Sequence, residues 1–359
     1  MRSQNPVLAL ALVATSFGVG SAVGQPTGCP VADAAGHIVF ADGAILMETK
    51  LAVNPDGAAA SYLPGDHGLT YLNNGVNLSR GGKKVGCVAN QALCASEWRR
   101  AELGAFGSGT PEFCVFAIEA EPILPGSSLV PCERPREGRF LVGNGKGQPK
   151  LGDAIASVSG TSVRPYVSTT SLRHRKDGKT AYLDSGAIPG LVVPLERADL
   201  KGSLAWVRYG AHSTFAIVSD TGPAFGEGSV ALHQLLRTGA VTPLPAVGPI
   251  PVGARCGPAE SGLLPPFQSK PDGGKADRCR TGHKPGTSAD IRAYEGIGRG
   301  VVSVILARAK PPMTGSTVSE EVTTDRLRNW ADAAGYGTSK LEAMARCLSS
   351  ASRGVKGGG

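Results

Sequence analysis

The most regular alternation of apolar and polar positions runs from residue 164 to residue 239. Tyr166-Val167-Ser168-Thr169-Thr170 is aromatic and β-branched, a composition suited to a strand. Ile188-Pro189-Gly190-Leu191-Val192-Val193-Pro194 is a short apolar run closed by prolines, which predicts an edge strand. Ser203–Tyr209 and Ser213–Ser219 predict two further strands joined by a turn at Gly210-Ala211-His212, the second ending on Asp220. Past the tight turn Thr221-Gly222-Pro223 and the triplet Gly226-Glu227-Gly228 the period changes. Ser229 is placed to cap a helix from Val230 to Arg237, with Gly239 at the C′ position and Val230, Leu232, Leu235 and Leu236 facing inward. Upstream, residues 37–78 read as short strands and turns around Asn54-Pro55-Asp56-Gly57. Downstream, Gly300–Ala307 reads as a strand and Thr324 to Cys347 as a helix-like stretch.

Between these patterned regions lie two irregular ones. Residues 79–160 hold four of the eight cysteines and read as a disulfide-pinned, loop-rich insertion; residues 241–290 are rich in proline and glycine. At the N-terminus Arg2 precedes an uncharged stretch from Val7 to Val19 and then small residues, the form of a cleavable export signal. Ala22-Val23-Gly24 predicts a signal over 1–24 and a mature start at Gln25, followed by a single domain over 25–359 that carries the insertions 79–160 and 241–290. With 50 Gly, 26 Pro and only 5% aromatic residues, many turns and little aromatic core are expected. Together with the strands this predicts a mostly β protein with a few short helices.

Cysteine usage agrees with export. An even count in an exported chain implies disulfides. Closeness pairs Cys87 with Cys94, Cys114 with Cys132 and Cys256 with Cys279, which leaves Cys29 for Cys347. No CxxC pair is present, and no histidine sits at ligand spacing, so no metal site is expected. The formal net charge is +8, and the basic residues are scattered without interleaved aromatics. That argues against a nucleic-acid partner and leaves attraction to an anionic cell envelope open. No later segment reads as transmembrane, and no P-loop, dinucleotide fingerprint or Ser-His-Asp order appears; the chain is expected to work as a monomer without a cofactor.

The chemistry centres on Asp220 and Glu227, seven residues apart, one ending a strand and the other preceding a helix, with glycines between and beside them. Two carboxylates facing one cleft are what cutting a glycosidic bond requires, one protonated and one ionised. The same two acids also suit plain structural work, an Asp closing a turn and a Glu favouring a helix dipole.

A resemblance bears on this choice. Tyr166–Leu172, Tyr182-Leu183-Asp184, Ile188-Pro189 with Val192-Val193-Pro194, Ala216–Pro223 and Gly226–Leu232 resemble the successive blocks of glycoside hydrolase family 75, the fungal-type chitosanases and their bacterial relatives. The stretch Lys50 to Gly57, with Tyr62 and Gly68–Leu72, is similar to the upstream block of the bacterial members. The resemblance is specific over 164–238 and does not extend to the two insertions. It implies an endo-acting, inverting hydrolase of chitosan or a related amino-sugar polysaccharide, with Asp220 and Glu227 catalytic. It also makes Asp184 a candidate for positioning substrate, and Tyr166 and Tyr182 are candidates for stacking on sugar rings. The strand order is similar to that of double-psi β-barrels, which predicts a barrel core. The alternative is a non-catalytic glycan-binding or envelope protein on the same fold.

Overall fold

A computed structural model describes residues 28–133, 139–271, 279 and 290–348. The predicted export signal and part of the second insertion lie outside these residues. The core is a closed barrel of six strands: β1 (Ile45–Val53), β2 (Gly190–Pro194), β3 (Leu204–Tyr209), β4 (His212–Gly222), β5 (Glu227–Gly228) and β6 (Ile297–Leu306). They run around the barrel in the order β1-β5-β2-β4-β3-β6, and β6 returns to pair with β1. The sheet is mixed, with β5 parallel to β1 and β2 parallel to β4. The other four neighbouring pairs are antiparallel. Barrel closure leaves none of these strands with an open edge. The protein is thus mostly β, as its alternation and turn content predict.

Each strand sends alternate residues to opposite faces. One set, which includes Ile45, Met47, Leu191, Val193, Ala205, Val207, Ala216, Val218, Val301 and Ile305, fills the barrel. The other set, with Leu46, Trp206, Phe215, Ile217 and Val304, is covered from outside. Among the described residues four helices of eight or more residues accompany the sheet: α1 (Gln91–Leu103), α2 (Val230–Thr238), α3 (Thr324–Ala333) and α4 (Thr338–Ala345). Leu327 and Ala331 of α3 and Leu341 and Met344 of α4 lie against the outer set. The single helix read at 324–347 is two helices, because Gly335-Tyr336-Gly337 interrupts it and Tyr336 turns to donate its hydroxyl to Asp42.

The apolar run at 188–194 is not an edge strand. β2 lies between β4 and β5 with all five of its residues buried. The prolines permit this because Pro189 precedes the strand and Pro194 ends it, so the amides of Leu191, Val192 and Val193 remain free for the ladders.

The region 79–160 holds more than loops. The strands Val76–Arg80, Lys83–Gly86, Glu112–Val115 and Phe140–Val142 form a second sheet, and α1 packs on it. Trp98 anchors this lobe, with the rings of Phe113, Phe106 and Tyr166 edge-on at 4.9, 5.4 and 5.9 Å.

The four disulfides are those read from the sequence: Cys29–Cys347, Cys87–Cys94, Cys114–Cys132 and Cys256–Cys279. Four bridges fit an oxidising, extracytoplasmic location. Among the described residues no helix is long and apolar enough to cross a membrane.

α2 begins and ends where the sequence places it. Ser229 Oγ accepts from the Leu232 amide at 3.1 Å, and Gly239 takes the left-handed conformation with φ +79°. Ser229 Oγ also accepts from the Gly190 amide and donates to the Ile188 carbonyl, both at 2.8 Å. One buried hydroxyl therefore joins the helix N-terminus to the start of β2. Ser229→Ala strands two buried amides, so it is expected to lower the unfolding free energy by about 1–2 kcal/mol. Urea denaturation of the variant checks this, and an unchanged midpoint would remove Ser229 from the account.

Candidate active site

Asp220 and Glu227 meet across β2. On one side Val192 pairs with Asp220, and on the other it pairs with Glu227, whose second neighbour is Ala52 of β1. Ala52, Glu227, Val192 and Asp220 therefore form one row, and residues in register across a sheet share a face. Strands lie about 4.8 Å apart, so the two acids, with one strand between them, have Cα atoms about 10 Å apart.

The face they share is set by a bulge. Leu191 pairs with Val218, yet the next residue, Val192, pairs with Asp220, so Ser219 is an extra residue on β4. Strict alternation would send Asp220 into the barrel beside Val218. The bulge returns it to the outer face with Val192 and Glu227. Glu227 reaches the row through Gly226, whose φ of +99° turns the chain where a Cβ would press on the Lys50 carbonyl at 2.9 Å. The Glu227 carboxylate leans toward β4: a Cβ built on Gly222 would stand 3.5 Å from its Oε2.

The two carboxyls have different surroundings. Asp220 is buried, and its Oδ1 accepts from the Ser171 amide at 3.2 Å, from the Thr221 amide at 2.8 Å and from the Ser171 hydroxyl. Burial nevertheless prevails and holds its pKa above the ordinary carboxylate value. With three donors on Oδ1, a proton on this group sits on Oδ2. Glu227 is partly exposed. Its pKa is also raised, first by burial, with the Asn54 hydrogen bond acting against this and the Asp220 charge adding to it.

A third acid belongs to the site. Asp56 follows β1 in the turn Asn54–Gly57, and its Oδ1 accepts from the Tyr62 hydroxyl at 2.8 Å. Its pKa is pushed well above the usual range, most by burial and next by Asp220; the Tyr62 bond opposes this and Glu227 adds to it. The turn is fixed to the row, because the Asn54 amide donates to the Gly228 carbonyl and Asn54 Oδ1 accepts from the Asp56 amide. Sequence reading took Asn54–Gly57 as a turn alone. The available signal was the acid's place inside the stretch Lys50–Gly57 that resembles the upstream block.

Neither a scan against protein-family models nor a search of curated proteins finds a match for this chain. The reading of the site therefore rests on its own geometry and on the motif blocks.

Three further residues were expected near substrate. Tyr166 is not on an open surface: it packs in the Trp98 core, 3% exposed, and its hydroxyl donates to Glu102 at 2.8 Å. Its aromatic character serves the second lobe and leaves no free face for a sugar ring. Tyr182 is partly exposed, but the Arg173 guanidinium lies over its ring at 5.0 Å. Asp184 is exposed and accepts from the Gly186 amide at 2.8 Å, closing the turn before β2. The adjacent Ser185 hydroxyl donates to the Pro55 carbonyl, so Asp184 borders the turn that carries Asp56.

The charge on Asp56 has a consequence for stability. Its raised pKa means that the native chain keeps a proton which the unfolded chain, with an ordinary Asp near pKa about 3.9, has already released. The native state binds more protons in that window, so stability falls as pH rises through it. Asp56→Asn keeps an acceptor for Tyr62 and removes the charge. It is expected to raise the unfolding free energy at pH 7 and to leave it unchanged below about pH 3, where the acid is protonated in both states. Urea melts at the two pH values check this; a loss confined to pH 7 would contradict it.

Proposed function

We propose that the chain is an exported endo-glycosidase that hydrolyses β-1,4 bonds of chitosan or a related amino-sugar polysaccharide with inversion. The observation that carries this reading is the row in which Val192 pairs with Asp220 on one side and Glu227 on the other. It sets the acids' Cα atoms about 10 Å apart on one face, which suits the roughly 6.5–9.5 Å between carboxyls that an inverting site needs to admit a water.

In the proposed reaction the protonated Asp220 gives its Oδ2 proton to the leaving glycosidic oxygen. Ionised Glu227, partly exposed, takes a proton from a water that attacks the anomeric carbon from the opposite side. The C–O bond breaks as the new one forms, and one product carries a new reducing end. Burial helps Asp220 stay protonated, against the pull of its hydrogen bonds from Ser171 and Thr221 and of the Lys201 charge. Ser171, whose amide and hydroxyl both meet Oδ1, fixes which oxygen faces the substrate. The four disulfides support secretion in this reading.

The experiment is a reducing-end assay of the full chain on chitosan, chitin, peptidoglycan and cellulose from acidic to neutral pH. Release from an amino-sugar polymer, with both limbs of the pH profile above the ordinary carboxylate range, is the expected result. Binding without release on every polymer would favour a glycan-binding protein instead.

A further inference from the structure

A cavity of about 1070 Å³ lies in the second lobe, with Leu195, which follows β2, in its wall, and the proposed chemistry does not use it. Among the described residues it is lined by Arg80, Lys83, Lys84, Arg139 and Lys146, five cationic side chains, against the two carboxylates Glu112 and Glu133. Some of this charge is paired: Lys146 meets Glu112 at 2.8 Å and Arg80 meets Glu97 at 3.1 Å. Lys83 and Lys84 are exposed, and no ion pair engages them among the described residues. The described lining is therefore net positive, and the cavity stands at the upper end of the size range of ligand pockets.

Two routes connect it to the acids. Ser171, bonded to Asp220, is two residues from Thr169, whose hydroxyl donates to the Phe116 carbonyl at 3.5 Å. The Arg139 guanidinium lies over the Phe116 ring at 5.3 Å, and Arg139 lines the cavity. On the other side Leu195 lines the cavity directly after Pro194, the residue of β2 that pairs with Gly222 beside the Glu227 carboxylate. Leu195 is three residues beyond Val192 and opens the 3-10 turn that follows β2.

We infer that this cavity is the extended subsite for a glycan whose sugars carry carboxylates, a proposal that rests on the glycosidase reading and narrows its substrate. A polymer bound across the acid row continues into the basic cavity, where negative sugars gain from Lys83 and Lys84 and a polycationic chitosan is repelled. Among the described residues no aromatic side chain lines the cavity, and none there offers the stacking platform that holds single-stranded nucleic acid.

The test is calorimetric binding at about pH 5.5, where glucosamine units are protonated and uronates ionised, with the full chain and with its Asp220→Asn variant, so that turnover does not enter the variant's readout. The probes are a galacturonic acid oligomer, a neutral cello-oligosaccharide of equal length, a fully deacetylated chito-oligosaccharide and an oligo-dT. The galacturonate oligomer is expected to bind at least about tenfold more tightly than the neutral one, and added salt should weaken it. Lys83→Glu with Lys84→Glu should remove that advantage, and the milder Lys83→Gln with Lys84→Gln should reduce it. Equal or tighter binding of the neutral or cationic oligomer, indifference to both substitutions, or tighter binding of oligo-dT would overturn the inference. Because the readout is binding, a chain that hydrolyses nothing can still satisfy it, and an active chain with no anionic preference defeats this inference alone.

Discussion

Asp220→Asn and Glu227→Gln should each lower the rate of hydrolysis by several orders of magnitude while leaving the fold intact. Their behaviour should diverge on a substrate whose leaving group needs no proton. Asp220→Asn removes the group that protonates the leaving oxygen, so an activated aryl leaving group should restore much of its rate. Glu227→Gln removes the group that activates water, so the same substrate should not restore it, whereas added azide should, by attacking in place of water. The structural basis is the different setting of the two acids. Asp220 is buried with three donors on one oxygen, and Glu227 is the more open of the pair. Azide rescue of the Asp220 variant instead of the Glu227 variant would reverse the roles, and an unchanged rate in both would remove the site. Each substitution leaves an amide oxygen to accept from the donors that the carboxyl met, so circular dichroism and thermal melts should stay close to wild type.

The second large effect concerns stability. Cys29 and Cys347 are 318 residues apart, and Cys87 and Cys94 only 7. A cross-link restrains the unfolded chain more as the loop it closes grows. On the chain-entropy relation the long bridge should stabilise by about 3 kcal/mol more than the short one at 25 °C. The Cys29–Cys347 bridge also joins the core beneath α3 and α4 to the N-terminal segment, since both half-cystines pack with Leu341, Met344 and Ile38. Replacing both of these cysteines by alanine is expected to cost about 2–5 kcal/mol of unfolding free energy, and replacing Cys87 and Cys94 clearly less. Equilibrium urea melts of the two double variants measure the difference directly. Equal losses would contradict the chain-entropy account.

What could be read from the sequence, and what could not, divides on locality. α2 was legible because its cap, its apolar face and its Gly239 terminus all lie within eleven residues of chain. The disulfide pairs were legible because three join near neighbours and the fourth follows by remainder. α1 was not legible. Its buried positions are Cys94, Glu97, Trp98 and Ala101, which have helical spacing, but only Trp98 is a large apolar residue and Glu97 is held by Arg80 and Arg100.

The site shows the same division. That Asp220 lies near the end of a strand and Glu227 precedes a helix, with a tight turn between them, was readable from local signals. The Ser219 bulge that sets their common face was not, because a bulge is a property of the pairing between β2 and β4. Asp56 escaped notice for a related reason: its burial and its coupling to Asp220 come from the approach of the loop after β1 to distant parts of the chain. Tyr166 was misjudged because its pattern is that of a strand residue, while its burial depends on Trp98 and Glu102 in a region that reads as loops. The basic cavity draws on four separate stretches and leaves no local signature at all.

The central claim is that two carboxyls, held one strand apart across Val192, hydrolyse a β-linked glycan with a water between them. The most direct measurement is the anomeric configuration of the first product, followed by proton NMR during hydrolysis of a β-1,4 amino-sugar oligomer before mutarotation intervenes. The account predicts that the new reducing end appears first as the α anomer. First appearance of the β anomer, which signals a covalent intermediate and carboxyls only about 5–5.5 Å apart, or no new reducing end on any amino-sugar polymer, would contradict it.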